Sequence, residues 1–330
     1  PPRPLKIVAF LGKDPIYSNT VQQVVSQEPD LAGVRSVAST SKKHLLEIIP
    51  DAEVFLTFHI PDGAIDAAVK LRWLAFGQVG VERGLTPQVK KTVKERGIIV
   101  TNAGEVTTPM VAEHALALML ALIRRLKTCL EYQRRKVWGF GDLRDRVDIL
   151  AGKTVAILGL GRIGYQVAHL CRTFGMRVVA LDREPRDSDF VDKIYRPNQL
   201  HQLLGKADFV VLCLPLTDAT RNIMNREAFS AMKDGSYLVN VARGGLVDEG
   251  ALLEALDGGR LAGAGLDVVA EEPLPEGSPL WEQEGVIITH HLAGLGPKYF
   301  ERLGELMVEN IRRYLAGEEL VNVVDVVKGY

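Results

Sequence analysis

Cysteine is scarce in this chain: Cys129, Cys171 and Cys213 are the only three in 330 residues, and no C-x-x-C pair occurs. That spacing excludes a disulfide framework and a cysteine zinc site. It fits reduced thiols in a reducing compartment, so a cytoplasmic protein without a metal centre is expected. Charge of one sign is lacking too. Lys and Arg number 40 against 41 Asp and Glu, which leaves no overall field to attract a polyanion, and no nucleic-acid partner is expected. The one basic cluster, Arg124, Arg125, Lys127, Arg134, Arg135 and Lys136, reads as the solvated face of a helix or the rim of a subunit contact. No apolar signal core follows Pro1-Pro2-Arg3-Pro4. The most apolar helical stretch, 115–123, falls well short of the ~20 residues a membrane span needs, so no membrane partner is expected. Solenoid repeats and low-complexity tracts are also absent.

What is present is alternation. Short buried strand patterns at 5–10, 34–37, 53–58, 73–76 and 98–101 are interleaved with helical patterns at 19–27, 62–70 and 87–96. After Gly152 the pattern restarts, with strands expected at 154–158, 178–181, 209–214, 236–240, 263–268 and 286–289. Such alternation means parallel sheets covered by helices. The expected fold is α/β, with two doubly wound, Rossmann-like parallel-sheet domains. Thr108-Pro109 reads as a helix start, hydroxyl at the cap and proline at the first position. The helix running on through Glu113-His114-Ala115 towards Arg125 is apolar around most of its circumference. It therefore needs more than one surface to bury against, either a bridge between domains or a dimer contact through Val111, Ala115, Leu118, Met119 and Leu122. A last helix near 298–315 should return the chain to the first domain, followed by an extended tail at 320–324. The first domain would then be discontinuous, comprising 1–104 and 297–330, with 105–296 as the second.

The sharpest motif is Val155-Ala156-Ile157-Leu158-Gly159-Leu160-Gly161-Arg162-Ile163-Gly164, a strand running into a glycine-rich turn and a helix. The first glycine permits the turn, the second lets a pyrophosphate approach the backbone, and the third lets helix and strand pack closely. The helix then presents its N-terminal amides to phosphate. Asp182, ending the next strand, can accept both ribose hydroxyls. A dinucleotide cofactor follows, and the carboxylate favours NAD over its 2′-phosphorylated form, with Arg183 beside it as a complication.

Ligands of open α/β sheets bind at the carboxyl ends of the strands. Three such ends carry chemistry: one strand ends in Arg243, the next carries Asp267 and is followed by Glu271-Glu272-Pro273, and the last ends in His290-His291. An arginine fork holds a carboxylate and polarises a neighbouring keto oxygen. A histidine manages the proton that accompanies hydride, and a glutamate on its other ring nitrogen orients it.

These motifs, taken in order, resemble the NAD-dependent D-isomer-specific 2-hydroxyacid dehydrogenases over essentially the whole chain. The matching runs are the glycine turn, Leu214-Pro215-Leu216-Thr217 with Thr220, Asn240-Val241-Ala242-Arg243-Gly244-Gly245-Leu246-Val247-Asp248, Gly265-Leu266-Asp267-Val268 with Glu272-Pro273, and His291-Leu292-Ala293-Gly294. The resemblance implies Arg243 as substrate clamp, Glu272 as orienting acid and His291 as acid–base. It implies cofactor contacts at Thr108, Gly159, Gly161, Arg162, Ile163, Gly164, Asp182, Leu214, Pro215, Thr220, Val241, Ala242, Asp267, His291 and Gly294, with Asp267 on the nicotinamide carboxamide. Gln78-Val79-Gly80-Val81-Glu82 resembles the loop whose amides, here Val79 and Gly80, bind the substrate carboxylate. On this resemblance 1–104 with 297–330 is a flavodoxin-like substrate-binding domain and 105–296 the NAD-binding Rossmann domain. The long helix and the ending Asn322-Val323-Val324-Asp325 resemble the glyoxylate/hydroxypyruvate reductase-like branch.

Two positions depart from the family pattern. His290 stands where proline usually precedes the catalytic histidine, and Phe76-Gly77-Gln78-Val79-Gly80 differs from the commoner substrate loops. The expected activity is reversible NADH-dependent reduction of a small 2-keto acid to a D-2-hydroxy acid by a homodimer. Two other readings share the scaffold: a non-catalytic NAD-sensing regulator of the corepressor kind, and a formate dehydrogenase. That last branch carries glutamine where this chain has Glu272, so the acid favours keto-acid chemistry.

Overall fold

The structure, a computed structural model, describes residues 4–184 and 188–329. Residues 1–3 of the opening Pro1-Pro2-Arg3-Pro4, together with 185–187 and Tyr330, lie outside the described residues. The chain divides into two compact units, Pro1–Thr107 with Leu295–Tyr330, and Thr108–Gly294.

Unit 1 begins with five parallel strands: β1 (Leu5–Phe10), β2 (Val34–Ala38), β3 (Val54–Thr57), β4 (Trp73–Phe76) and β5 (Ile99–Thr101). They stand in the order β2-β1-β3-β4-β5. Strands β3 and β4 are buried at every position and, Thr57 apart, apolar, as strands covered on both faces must be. Helices α1 (Pro15–Ser26), α2 (Lys42–Ile48), α3 (Ala64–Ala67) and α4 (Pro87–Arg96) make the crossovers. Helix α1 starts earlier than its apolar spacing suggests, because Asp14 caps the Ile16 amide and Pro15 takes the first position. Helix α3 is much shorter than 62–70, bounded by left-handed Gly63 and by Ala68 at φ −78°, ψ 65°. Helix α2 has no counterpart among the expected elements. It buries only Leu45, so it carries little apolar periodicity, and its start depends on the Ser41 cap.

Helix α5 (Gly104–Ile123) starts four residues before Thr108, and Pro109 lies inside it. The expected cap at Thr108 is therefore wrong. Asn102 receives the Gly104 amide instead, and burial outweighs the proline. Leu118, Met119 and Leu122 are all at most 5% exposed. At roughly 1.5–3 kcal/mol each, they exceed the ~3 kcal/mol that an interior proline costs.

The helix is thus 20 residues long, and by length and composition alone it could cross a membrane; the shorter 115–123 estimate fails. Its buried face nevertheless has partners. Val111, Ala115, Leu118, Met119 and Leu122 pack with Val155, Ile157, Val178 and Val239 in unit 2's own core. The flank expected to need a second subunit is satisfied inside the unit, while Glu113 and Ala117 are exposed.

Short helices α6 (Leu126–Arg134) and α7 (Phe140–Leu143) lead to seven parallel strands. These are β6 (Thr154–Leu158), β7 (Arg177–Leu181), β8 (Lys193–Tyr195), β9 (Phe209–Leu212), β10 (Ser236–Asn240), β11 (Leu261–Leu266) and β12 (Val286–Ile288), in the order β12-β11-β10-β9-β6-β7-β8. Helices α8 (Arg162–Thr173), α9 (Leu200–Leu204), α10 (Arg226–Ala231) and α11 (Glu249–Asp257) cover the faces. Strand β8 is a three-residue edge strand outside the expected set. The strand order reverses between β6 and β9, which places a ligand crevice at their carboxyl ends.

The chain returns to unit 1 through α12 (Tyr299–Ala316), whose Leu303, Met307, Val308 and Ile311 pack with Val21 and Val25 of α1. Val323 then bridges antiparallel to Thr101. Unit 1 is therefore discontinuous in sequence, and both sheets are parallel and doubly wound.

Candidate active site

Because all seven strands of unit 2 run parallel, the loops at their carboxyl ends share one edge of the sheet. Read in strand order, that edge carries His291 after β12, Asp267 after β11, Arg243 after β10, Leu214 and Pro215 after β9, the glycine turn after β6, and Asp182 after β7.

The glycine turn is built as its sequence requires. Gly159 has φ +96°, a region L side chains rarely adopt. A Cβ on Gly164 would sit 2.0 Å from the Gly159 carbonyl oxygen, whereas a Cβ on Gly161, the N-cap of α8, would meet nothing within 4 Å. The open space lies where the second glycine of such a turn admits a pyrophosphate, at the positive end of a helix. Asp182 Oδ2 accepts from the Leu160 amide at 2.9 Å and Oδ1 from the Glu184 amide at 2.9 Å, so the carboxylate is fixed beside the turn. Residues, conformation and open space together fit a dinucleotide.

After β9, Thr220 organises its own loop: its hydroxyl donates to the Pro215 carbonyl at 2.6 Å and accepts from the Thr217 amide at 2.8 Å. After β10, buried Asn240 shapes the turn that presents Arg243. Its Oδ1 accepts from the Ala242 amide and its Nδ2 donates to the Arg243 carbonyl, at 3.1 and 2.9 Å. Arg243 is half-buried, with Nη1 donating to the Ala242 carbonyl at 2.6 Å.

The last two strand ends are tied together. His291 Nδ1 lies 2.9 Å from Glu272 Oε2, and the imidazole is half exposed. With a carboxylate as partner, Nδ1 carries the proton, and Nε2 is the ring nitrogen that this pairing leaves over. The Glu272 loop is anchored by Glu249, which accepts from the Ala270 amide at 2.7 Å. Asp267 is 3% exposed and accepts from Thr289 Oγ1 (2.8 Å), the Leu292 amide (2.8 Å) and the Ala293 amide (3.0 Å). Its carbonyl accepts from the His291 amide at 2.7 Å. Burial pushes this carboxyl's pKa up, but the bonds from His114, Ala293, Thr289 and Leu292 together outweigh it and hold the group below its ordinary value.

In unit 1, the loop after β4 is similarly pinned. The Gly77 carbonyl accepts from Tyr299 Oη, the Gln78 carbonyl from the Ala103 amide, and the Val79 carbonyl from Asn102 Nδ2 at 3.1 Å. The amides of Val79 and Gly80 have no acceptor among the described residues.

The structure thus brings Glu272 and His291 into contact and sets Arg243, Asp267 and the glycine turn along the same edge. Thr108 lies inside α5 and not at its cap. The supporting residues Asn240, Glu249, Thr289, His114 and Tyr299 were not singled out from the sequence. Their partners are distant in the chain or are backbone atoms; Asn240 and His114 stood within quoted runs, but nothing there marked them as supports.

Residues 116–293 match the D-isomer specific 2-hydroxyacid dehydrogenase, NAD-binding domain, family. The chain belongs to the D-isomer-specific 2-hydroxyacid dehydrogenases. It is 34% identical over 97% of its length to D-3-phosphoglycerate dehydrogenase of Methanocaldococcus jannaschii, of which it spans 60%. It is 37% identical to glyoxylate reductase of Korarchaeum cryptofilum, covering 87% of each. Among solved structures, the NADPH-dependent glyoxylate/hydroxypyruvate reductase of Sinorhizobium meliloti, in complex with NADP and sulfate, superposes with TM-score 0.85 at 25% identity, covering 99% of this chain and all of that one. A D-isomer specific 2-hydroxyacid dehydrogenase family protein from Aeromonas salmonicida gives 0.83 at 27% identity over 98% and 99% of the two chains. Membership makes the Rossmann unit of this dehydrogenase an NAD-binding domain.

Proposed function

We propose that this dehydrogenase reduces a small 2-keto acid to the D-2-hydroxy acid, reversibly, with NADH. The observation that carries the reading is the His291–Glu272 pair at 2.9 Å on the same sheet edge as the glycine turn. The bound dinucleotide supplies or accepts hydride at the substrate carbon. His291 Nε2 gives the keto oxygen its proton in reduction and takes it back in oxidation. Glu272 keeps Nδ1 protonated and the ring fixed, so Nε2 is the exchanging atom. Arg243 holds the substrate carboxylate and polarises the keto oxygen with its planar fork. In unit 1, Val79 and Gly80 have two uncommitted amides to offer a carboxylate, which supports 1–104 with 297–330 as the substrate-binding domain.

For the cofactor, the support is Asp182, fixed by two backbone amides. A 2′-phosphate there would meet like charge, so NADH is preferred over NADPH. Thr108, Arg162, Ile163, Leu214, Pro215, Thr220, Val241, Ala242, Asp267 and Gly294 complete the cofactor set by family correspondence. Three free thiols suit the cytoplasm. A homodimer is supported by exposed apolar side chains from α6 to the start of β6: Leu130, Val137, Phe140, Ile149 and Trp138, the last 94% exposed.

A panel of 2-keto acids with NADH and NADPH, and formate with NAD, tests the reading. Turnover of a 2-keto acid with NADH supports it. Formate oxidation alone, or cofactor binding with no turnover on any substrate, overturns it.

A further inference from the structure

The loop that carries His291 is held in an uncommon shape. His290 and His291 both lie at positive φ, +45° and +58°, a region side chains with a Cβ rarely adopt even singly. Something must hold two such residues in succession, and the structure shows what does. The loop wraps around the Asp267 carboxylate, which takes Thr289 Oγ1, the Leu292 amide and the Ala293 amide.

Behind that loop, on α5, stands His114, which no step of the reaction uses. Its Nε2 lies 2.8 Å from Thr289 Oγ1 and 3.4 Å from Asp267 Oδ1. The hydroxyl has one proton and its bond to the Asp267 carboxylate uses it, so Thr289 must accept from His114. The order is therefore His114 Nε2–H to Thr289 Oγ1 and Thr289 Oγ1–H to Asp267 Oδ1, with His114 Nε2 also 3.4 Å from that oxygen and Asp267 receiving the Leu292 and Ala293 amides that follow the turn. A chain of donors ending on a buried carboxylate strengthens each link.

We propose that His114 is a positioning residue for His291, locking the left-handed turn from behind through Thr289 and Asp267. The inference rests on the reading of His291 as the proton-transfer residue. Reaction geometry is sensitive to small displacements of a reacting group. Loosening this clamp should therefore slow proton and hydride transfer without removing a group that touches substrate.

The test compares His114→Leu, Thr289→Val, His114→Leu/Thr289→Val and His114→Gln in single-turnover reduction. Melting temperature and NADH affinity are measured alongside. Leucine and valine keep bulk and delete the bonds. The glutamine amide can place a donor where Nε2 stood. Each single deletion should slow reduction roughly tenfold, the cost of one hydrogen bond near a charged group. The double variant should be little slower than either single, since both break one chain. His114→Gln should recover most of the rate.

Nitrogen-15 spectra of the imidazoles provide a readout that needs no turnover. His114 should carry its proton on Nε2, and the His291 ring signals should move in His114→Leu and return in His114→Gln. Lower melting temperature with unchanged rate and unmoved His291 signals would overturn the proposal, as would an unprotonated Nε2. If the unaltered enzyme turns over no 2-keto acid, the functional reading falls, while the spectra still decide whether the clamp exists.

Discussion

Replacing Gly164 by alanine sets two opposing effects against each other. Gly164 is the third residue of α8, and alanine is preferred over glycine inside a helix by about 1 kcal/mol. Against this, the new Cβ would lie 2.0 Å from the Gly159 carbonyl oxygen and 3.1 Å from its carbon. The obstacle is backbone, so no side chain can swing aside. Relief requires the start of α8 to move by roughly 1 Å, which disturbs the packing of Val167, Ala168 and Cys171, and such overpacking costs typically about 1–3 kcal/mol. The steric effect wins. The melting transition of the NAD-binding unit should fall by about 2–12 °C, and NADH binding, followed by fluorescence, should weaken at least tenfold because the amides facing the pyrophosphate are displaced.

Gly161→Ala separates the two consequences. Its Cβ meets nothing within 4 Å, so the transition should stay where it is, while NADH still binds more weakly because the methyl enters the space reserved for pyrophosphate. If Gly164→Ala left both melting and NADH affinity unchanged, or if Gly161→Ala bound NADH normally, the dinucleotide reading of the turn would be refuted.

Asp182→Ala should raise the ratio of NADPH to NADH efficiency, measured as kcat/KM for each; an unchanged ratio would show that Asp182 does not read the ribose. If Arg243 holds both carboxylate and carbonyl, as proposed, Arg243→Ala should raise the KM for the keto acid and lower kcat together while leaving NADH affinity within a few-fold. Asp192 and Asp267 are both held below the ordinary carboxylate pKa. For Asp192, burial raises the value, but the Arg172 guanidinium and the Val178 amide outweigh it. Since their folded values are depressed, their stabilisation is fully present above about pH 4 and is lost as pH falls through the folded values. The melting temperature should therefore drop steeply below pH 4, and a rise there would contradict these assignments.

The fold and the cofactor turn were readable because their signals are local. Strand β6, its glycines and helix α8 are contiguous, and each glycine answers a constraint set by its immediate neighbours. The start of α5 misled for a related reason. Thr108-Pro109 carries the local signature of a cap, yet the burial of Leu118, Met119 and Leu122 further along holds the helix through the proline, and Asn102 supplies the cap. Edge strand β8, three residues long, and helix α2, with one buried side chain, are too short to show a period.

At the strand ends, Arg243, Glu272 and His291 could be picked out by residue type and motif. The network that holds them did not. His114 and Thr289 are 175 positions apart, and Tyr299 meets Gly77 across 222. Nothing in a sequence pattern connects such residues before the sheets bring them together.

The central claim is that His291 Nε2 moves the proton. The most direct test is single-turnover reduction of a 2-keto acid by His291→Ala, run beside His290→Ala, with NADH affinity measured for both. The account predicts that His291→Ala loses about 10²–10⁴-fold in rate with NADH affinity nearly unchanged, while His290→Ala stays within a few-fold of the unaltered enzyme. Loss of turnover in His290→Ala with His291→Ala still active would contradict it.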